Sequence, residues 1–111
     1  IKGSFILDTG ASNSCLGFEG ITKFELLAET SETKAAGAGA TGMETQLSKN
    51  NLLQLSHWKT SKFHLVIFDM QHVNQALNEY KTKPVDGIIG ADILLKGKAI
   101  IDYYNHYLYL R

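Results

Sequence analysis

"SFILDTGAS", residues 4–12, decides how this chain is read. Phe5, Ile6 and Leu7 lead residues 4–8 as a buried strand toward a hydrophobic core, and that strand ends on Asp8. The chain then turns through Thr9 and Gly10 into Ala11 and Ser12. A carboxylate carried into a core without a partner is costly, so the sequence has to supply something that offsets the charge of Asp8.

Outward from this stretch, residues 13–16 read as a second short strand, and residues 23–27 as a third with a weaker pattern. "KAAGAGATGME", residues 34–44, holds three glycines and four alanines with no bulky side chain before Met43, and it is expected to form a mobile hairpin or loop. Leu52, Leu53 and Leu55 suggest another strand, with a turn near residues 59–61. "FHLVIFDM", residues 63–70, is rich in β-branched and aromatic residues on both faces, which predicts a central strand. Val73, Ala76, Leu77 and Tyr80 follow helical spacing and predict a helix over residues 72–80. "VDGIIGADILL", residues 85–95, predicts a buried strand, a break at Gly90 and a short helix that Asp92 helps to cap. Residues 98–110 predict two strands joined by a tight turn at Asn105 and His106.

The composition limits what this β-rich chain can do. Its 111 residues suit one small domain spanning residues 1–111, with no room for a second lobe. Eleven basic and eleven acidic residues balance, which gives no electrostatic case for nucleic acid or an anionic membrane. Apolar residues make up 44% without a run long enough to span a bilayer, so this segment is expected to be globular with no membrane insertion. Cys15 is the one cysteine and excludes an intrachain disulfide; Ile1 is neither an initiator Met nor the start of a signal peptide, which leaves the compartment open.

Metal and thiol chemistry find little support. His57, His64, His72 and His106 show no ligand spacing with one another or with Cys15, so no metal or other cofactor is expected. Cys15 sits in an apolar strand, where a cysteine is usually a small buried side chain. The glycines between Ala36 and Gly42 lack the Gly-Lys-Ser/Thr ending of a phosphate loop. Asp102, ahead of two tyrosines, reads as an outward or capped polar group, Asp92 as structural, and Trp58 and Tyr80 as ordinary packing or surface aromatics.

Asp8-Thr9-Gly10 remains. This tripeptide arises by chance in about one chain in fifty of this length, so its context has to carry the argument. Phe5-Ile6-Leu7 precede it, Ala11-Ser12 follow, and Ile88-Ile89-Gly90 comes far downstream ahead of an apolar helix. Together these resemble the aspartic protease family in its retroviral-like, single-lobe form, and the resemblance runs in order over nearly the whole chain. It implies a mostly β fold, a closed β-barrel of the retropepsin-like type with a flap hairpin and one or two short helices. It implies that Asp8 is catalytic, that the Thr9 hydroxyl bonds across a dimer axis, and that Gly10 lets backbone approach the carboxylates. Ile88, Ile89 and Gly90 become structural support behind the turn. Residues 35–44 become the flap over a bound polypeptide, with Gly37, Ala38 and Gly39, together with Ala11 and Ser12, as substrate-binding residues.

Peptide hydrolysis by this route needs one carboxylate to take a proton from water while a second, protonated carboxyl donates to the scissile carbonyl. One Asp cannot do both, and Val85-Asp86-Gly87 is no substitute for a second Asp-Thr-Gly. A homodimer that brings two copies of Asp8 together is therefore expected, with the buried charge offset by a shared proton. A Ser or Thr after Gly10 would donate to the carboxylate and favour its charged form; Ala11 does not, which moves the expected activity toward neutral pH. Retroviral enzymes commonly carry an Asp at the position of Ser12 and an Arg at that of Ala91, paired near the interface. Both are missing here, and the start lacks the usual extended strand before Asp8. Either a different interface or a longer N-terminus is then expected, and an inactive dimerisation or peptide-binding domain of the same fold is the competing function.

Overall fold

The computed structural model describes the backbone of residues 1–37 and 40–111, with side chains outside residues 31–43. Six strands share one sheet: β1 (Phe5–Leu7), β2 (Cys15–Gly17), β3 (Glu29–Gly37), β4 (Ala40–Leu55), β5 (Trp58–Phe68) and β6 (Gly87–Ile89). Three helices accompany them, α1 (Glu19–Lys23), α2 (Gln71–Glu79) and α3 (Ala91–Lys96), and β7 (Ile100–Asp102) and β8 (Tyr107–Tyr109) form a separate two-stranded sheet. The chain is mostly β with a few short helices. Among the described residues the larger sheet runs β1-β6-β2-β5-β4-β3, with β1 and β3 at its ends.

The strand Asp8 follows is a sheet edge. Among the described residues β1 pairs only with β6, in parallel, matching Ile6 with Ile88 and Leu7 with Ile89. Phe5 and Ile6 are half-buried and Leu7 is 39% exposed, which corrects the buried strand expected over residues 4–8. A strand paired on one side and covered on one face keeps its tip in solvent, whatever its apolar content.

β5 is central, parallel to β2 on one side and antiparallel to β4 on the other. Phe63, Leu65 and Ile67 are buried while His64 is exposed, the alternation of a strand with one core face. Near its end Phe68 is buried too, because two apolar clusters flank the sheet there. One contains Leu16, Phe63, Leu65, Ile67, Ile89 and Ile93; the other contains Phe68, Met70 and Ile88. Ile88 and Ile89, adjacent in β6, therefore fill opposite clusters. Each such side chain contributes about 1.5–3 kcal/mol of burial energy, so β6 is anchored from both faces.

Three local expectations are corrected. Residues 23–27 are not a strand, since α1 ends at Lys23 and Glu25 adopts φ 55°. Ile21 and Phe24, three apart, pack on the first cluster, a helical period too short to read from sequence. The turn after Leu55 lies at Ser56 and His57, not at residues 59–61, with Ser56 at φ 54°. Helices number three among the described residues, where one or two were expected. Elsewhere α2 covers residues 71–79, close to the predicted span, and Asn74 latches it by accepting from the Val85 N–H at 2.8 Å and donating to the Val85 carbonyl at 3.2 Å.

Candidate active site

Asp8 stands directly beyond β1, and the turn that follows is tied to itself and to β6. The Gly10 N–H donates to Asp8 Oδ1 at 2.9 Å, and the Ala11 N–H donates to the Asp8 carbonyl at 3.2 Å. The Asp8 N–H donates to the Ile89 carbonyl at 2.9 Å, and the Ala91 N–H to the Ala11 carbonyl at 2.7 Å. Backbone bonds of this kind define a rigid platform, since neither end of the turn can shift without breaking a ladder to residues 89–91. Asp8, Thr9 and Gly10 are all exposed, as is Ser12, while Ala11 is half-buried. The Asp8 side chain of this chain is therefore exposed to solvent, which corrects the sequence-based picture of a buried charge.

Two glycines matter by closeness. A Cβ on Gly10 would stand 3.3 Å from Asp8 Oδ1, within the space the carboxylate uses to accept the Gly10 N–H. A Cβ on Gly90 would fall 2.6 Å from the Ala11 carbonyl oxygen and 3.0 Å from the Asn13 backbone. Only a residue without a side chain lets the end of β6 lie against the turn.

Beneath the turn lies a polar clamp that the sequence did not announce. Ser14 is fully buried at 0% exposure. Its hydroxyl donates to Asp92 Oδ1 at 2.7 Å and accepts the Gly90 N–H at 2.9 Å, while its own N–H donates to Asp92 Oδ2 at 3.0 Å. Asp92 Oδ1 also accepts the Ile93 N–H at 2.8 Å. The N-cap of α3 is Gly90, which corrects the cap expected of Asp92; from inside the first turn, Asp92 joins that helix to the segment leaving the Asp-Thr-Gly turn. Only a small hydroxyl residue inside an apolar strand, and an acid placed after a glycine, hinted at this pair.

Other acids serve elsewhere. Asp86 accepts from the Ser4 N–H at 2.9 Å and pairs with Lys23 Nζ at 3.0 Å, fastening the N-terminal segment to α1. Asp102 accepts from the Asn105 N–H and Nδ2 at 3.0 and 2.9 Å, and these bonds, with one from the Tyr104 backbone, hold its carboxyl below the usual carboxylate value. Cys15 donates to the Asn13 carbonyl at 3.2 Å. Burial, with Asp92 and Asp8 nearby, pushes its thiol up to about 11, the opposite of a poised nucleophile. Among the described residues no group of three or more His, Cys, Asp or Glu is placed to hold a metal.

The fold brings Asp8, Thr9, Gly10 and Ala11 beside Ile88, Ile89 and Gly90. β3 and β4 form an antiparallel hairpin in which Gly37 pairs with Ala40. This is the hairpin expected over residues 34–44; Ala38 and Gly39 within it lie outside the described residues.

Two solved structures share this architecture. The protease of EIAV complexed with the inhibitor HBY-793 matches with a TM-score of 0.62 and 21% identity, over 88% of this chain and 79% of that one. The retroviral protease-like domain of Ddi1 from Leishmania major matches with a TM-score of 0.59 and 16% identity, over 94% of this chain and 74% of the other. At these identities the likeness is one of fold. No curated protein sequence matches the chain. The family model for aspartyl protease, however, matches residues 1–93, which hold both the Asp-Thr-Gly turn and the Ile-Ile-Gly strand, so the chain belongs to the aspartyl protease family, with a retropepsin-like fold.

Proposed function

We propose that residues 1–111 form one retropepsin-like unit that acts as an aspartic endopeptidase in a homodimer. The observation that carries the proposal is the Asp8 turn: an exposed carboxylate on a platform bonded to β6, present once per chain. Two such turns facing across a two-fold axis form a site in which close like charges favour one shared proton. One Asp8 then takes a proton from water, the water oxygen attacks the scissile carbonyl, and the other Asp8 protonates the carbonyl oxygen. The proton returns through the same pair as the amine leaves. Thr9 ties the two turns together, and Gly10 keeps the space beside the carboxylate open.

An extended polypeptide suits this site, since main-chain hydrogen bonds give affinity and side-chain pockets give selectivity. In this reading the β3–β4 hairpin is the flap, Gly37, Ala38 and Gly39 close over the peptide, and Ala11 and Ser12 border it. Barrel closure belongs to the same proposal, the register shifts between β4 and its two neighbours supplying the curvature. Ser12 and Ala91 favour a second reading, a catalytically inactive dimerisation or peptide-binding domain, because the charge pair expected at these positions is gone.

A cleavage assay on a mixed peptide library across pH, with wild type and Asp8→Asn, decides between them. Cleavage by wild type that is abolished in Asp8→Asn supports the endopeptidase; cleavage that survives the substitution refutes the mechanism. Specific peptide binding without turnover in both proteins selects the second reading.

A further inference from the structure

The first apolar cluster is open on one side. Its buried members Leu16, Phe63 and Leu65 form the floor of a trough of ≈ 710 Å³. Phe24, Leu53 and Leu55, packed on the same cluster but only half-buried, line it too. At its rim Leu52 is 70% exposed.

Two stretches of chain wall the trough. On one side are residues 1–3 and Phe5 of β1. On the other is β4, which contributes every residue from Asn51 to Leu55, with Ser56 following. Successive strand residues point to opposite faces, so a run of consecutive residues lines one hollow only where the edge of the strand borders it. That edge is free. β3 pairs with β4 no further than Leu47, and from Ser48 to Leu55 β4 pairs with β5 alone among the described residues. The outer edge of β1 is likewise unpaired among them.

We infer that this trough is a strand-accepting site, where an extended segment of a separate polypeptide adds to the free edge of β4. The volume alone also admits a small apolar molecule. Such a molecule brings no backbone to the edge, whereas an added strand pairs its N–H and C=O groups with those of residues 48–55. Alternate side chains of that strand then cover the floor, and the others face outward beside Leu52 and Gln54. Residues 51–56 span about 20 Å, so a segment of about six residues fills the site. Lys2 is the one charged side chain in the lining, and it has no acidic partner among the described residues. The favoured segment therefore alternates apolar and polar residues and carries an acid beside Lys2. The site does not depend on paired copies of Asp8.

The test uses Asp8→Asn, so that no cleavage intervenes, and a short peptide in which leucine alternates with serine and one end carries glutamate. Calorimetry reads affinity and hydrogen exchange reads location. The expected result is saturable binding with new protection at residues 48–55. Of two copies N-methylated at one or the other set of alternate amides, at least one is expected to lose affinity by about 10-fold or more, because its bonds to the β4 edge are blocked. Lysine in place of glutamate is expected to weaken binding about 3-fold, and Lys2→Glu to reverse that preference. Two N-methylated copies that bind as tightly as the parent overturn strand addition, the trough then being a pocket for any apolar ligand. Protection confined to residues 8–12 overturns the site and assigns the peptide to the Asp8 turn. A β4 edge already protected before peptide is added overturns it as well, because the chain then fills its own trough. Equal binding of the glutamate- and lysine-ended peptides overturns the role of Lys2. None of these results bears on cleavage through Asp8, which the library assay decides.

Discussion

Ser14→Ala is the sharpest test of how the Asp-Thr-Gly turn is held. The substitution deletes one oxygen from a fully buried site and leaves the backbone path of β2 unchanged. It strips the Gly90 N–H of its acceptor at 2.9 Å and removes the hydroxyl that donates to Asp92 at 2.7 Å. An unsatisfied buried N–H costs about 1–3 kcal/mol, and a lost bond to a charged group about 1.5–3 kcal/mol. The two overlap because Asp92 keeps the Ser14 N–H, so the expected loss is about 3 kcal/mol. Against a total of about 5–15 kcal/mol this is large, and it corresponds to a fall in Tm of about 13 °C. Urea unfolding with linear extrapolation measures it, with the exposed Ser12→Ala as a control expected to stay within about 0.5 kcal/mol of wild type. A double-mutant cycle with Asp92→Ala is expected to give a coupling of about 1–2 kcal/mol. A loss below about 1 kcal/mol, or strict additivity with Asp92→Ala, refutes the clamp.

Gly90→Ala forces a methyl to within 2.6 Å of the Ala11 carbonyl, so it is expected to cost at least about 1–3 kcal/mol in urea unfolding and to impair peptide cleavage. Cys15, its thiol raised from 9.0 to about 11, binds a proton in the folded chain that the unfolded chain has lost between those values. Stability is therefore expected to fall as pH rises from 9 to 11, a slope that Cys15→Ala removes. Asp102 shifts the other way: its carboxyl is held below 3.8, so its stabilisation is present above that pH and lost on acidification. The Tm gap between wild type and Asp102→Ala is expected to be open at pH 7 and to close in strong acid. Ala11→Ser places a hydroxyl donor beside the Asp8 turn, and the acid limb of the pH–rate profile is expected to move to lower pH; an unmoved limb refutes that role for position 11.

The family was legible because its signals are local or short-range in pattern. Asp8-Thr9-Gly10, the apolar run before it and Ile88-Ile89-Gly90 can each be read without knowing what touches what. α2 was legible because Val73, Ala76, Leu77 and Tyr80 follow helical spacing over about two turns, although Tyr80 is its C-cap. α1 was not, because five residues hold too little period to outweigh the β-branched Ile21 and Thr22. The turn at Ser56 and His57 escaped because a serine at φ 54° has no strong sequence signature, whereas a glycine there would have marked it. Ser14 and Asp92 stand 78 positions apart, and no window-based pattern links residues at that distance.

By itself, the sequence determined the family and that the chain holds one Asp-Thr-Gly, since side-chain identity and count are local properties. Only the tertiary structure decided that Asp8 is exposed beside a sheet edge, that Gly90 must lack a side chain, and that Ser14 and Asp92 brace the turn from below. Exposure and hydrogen-bond partnership depend on what the rest of the chain places nearby, and for Asp8 that neighbourhood is set by β6, drawn in from the far end of the sequence by the burial of Ile88 and Ile89 on opposite faces of the sheet.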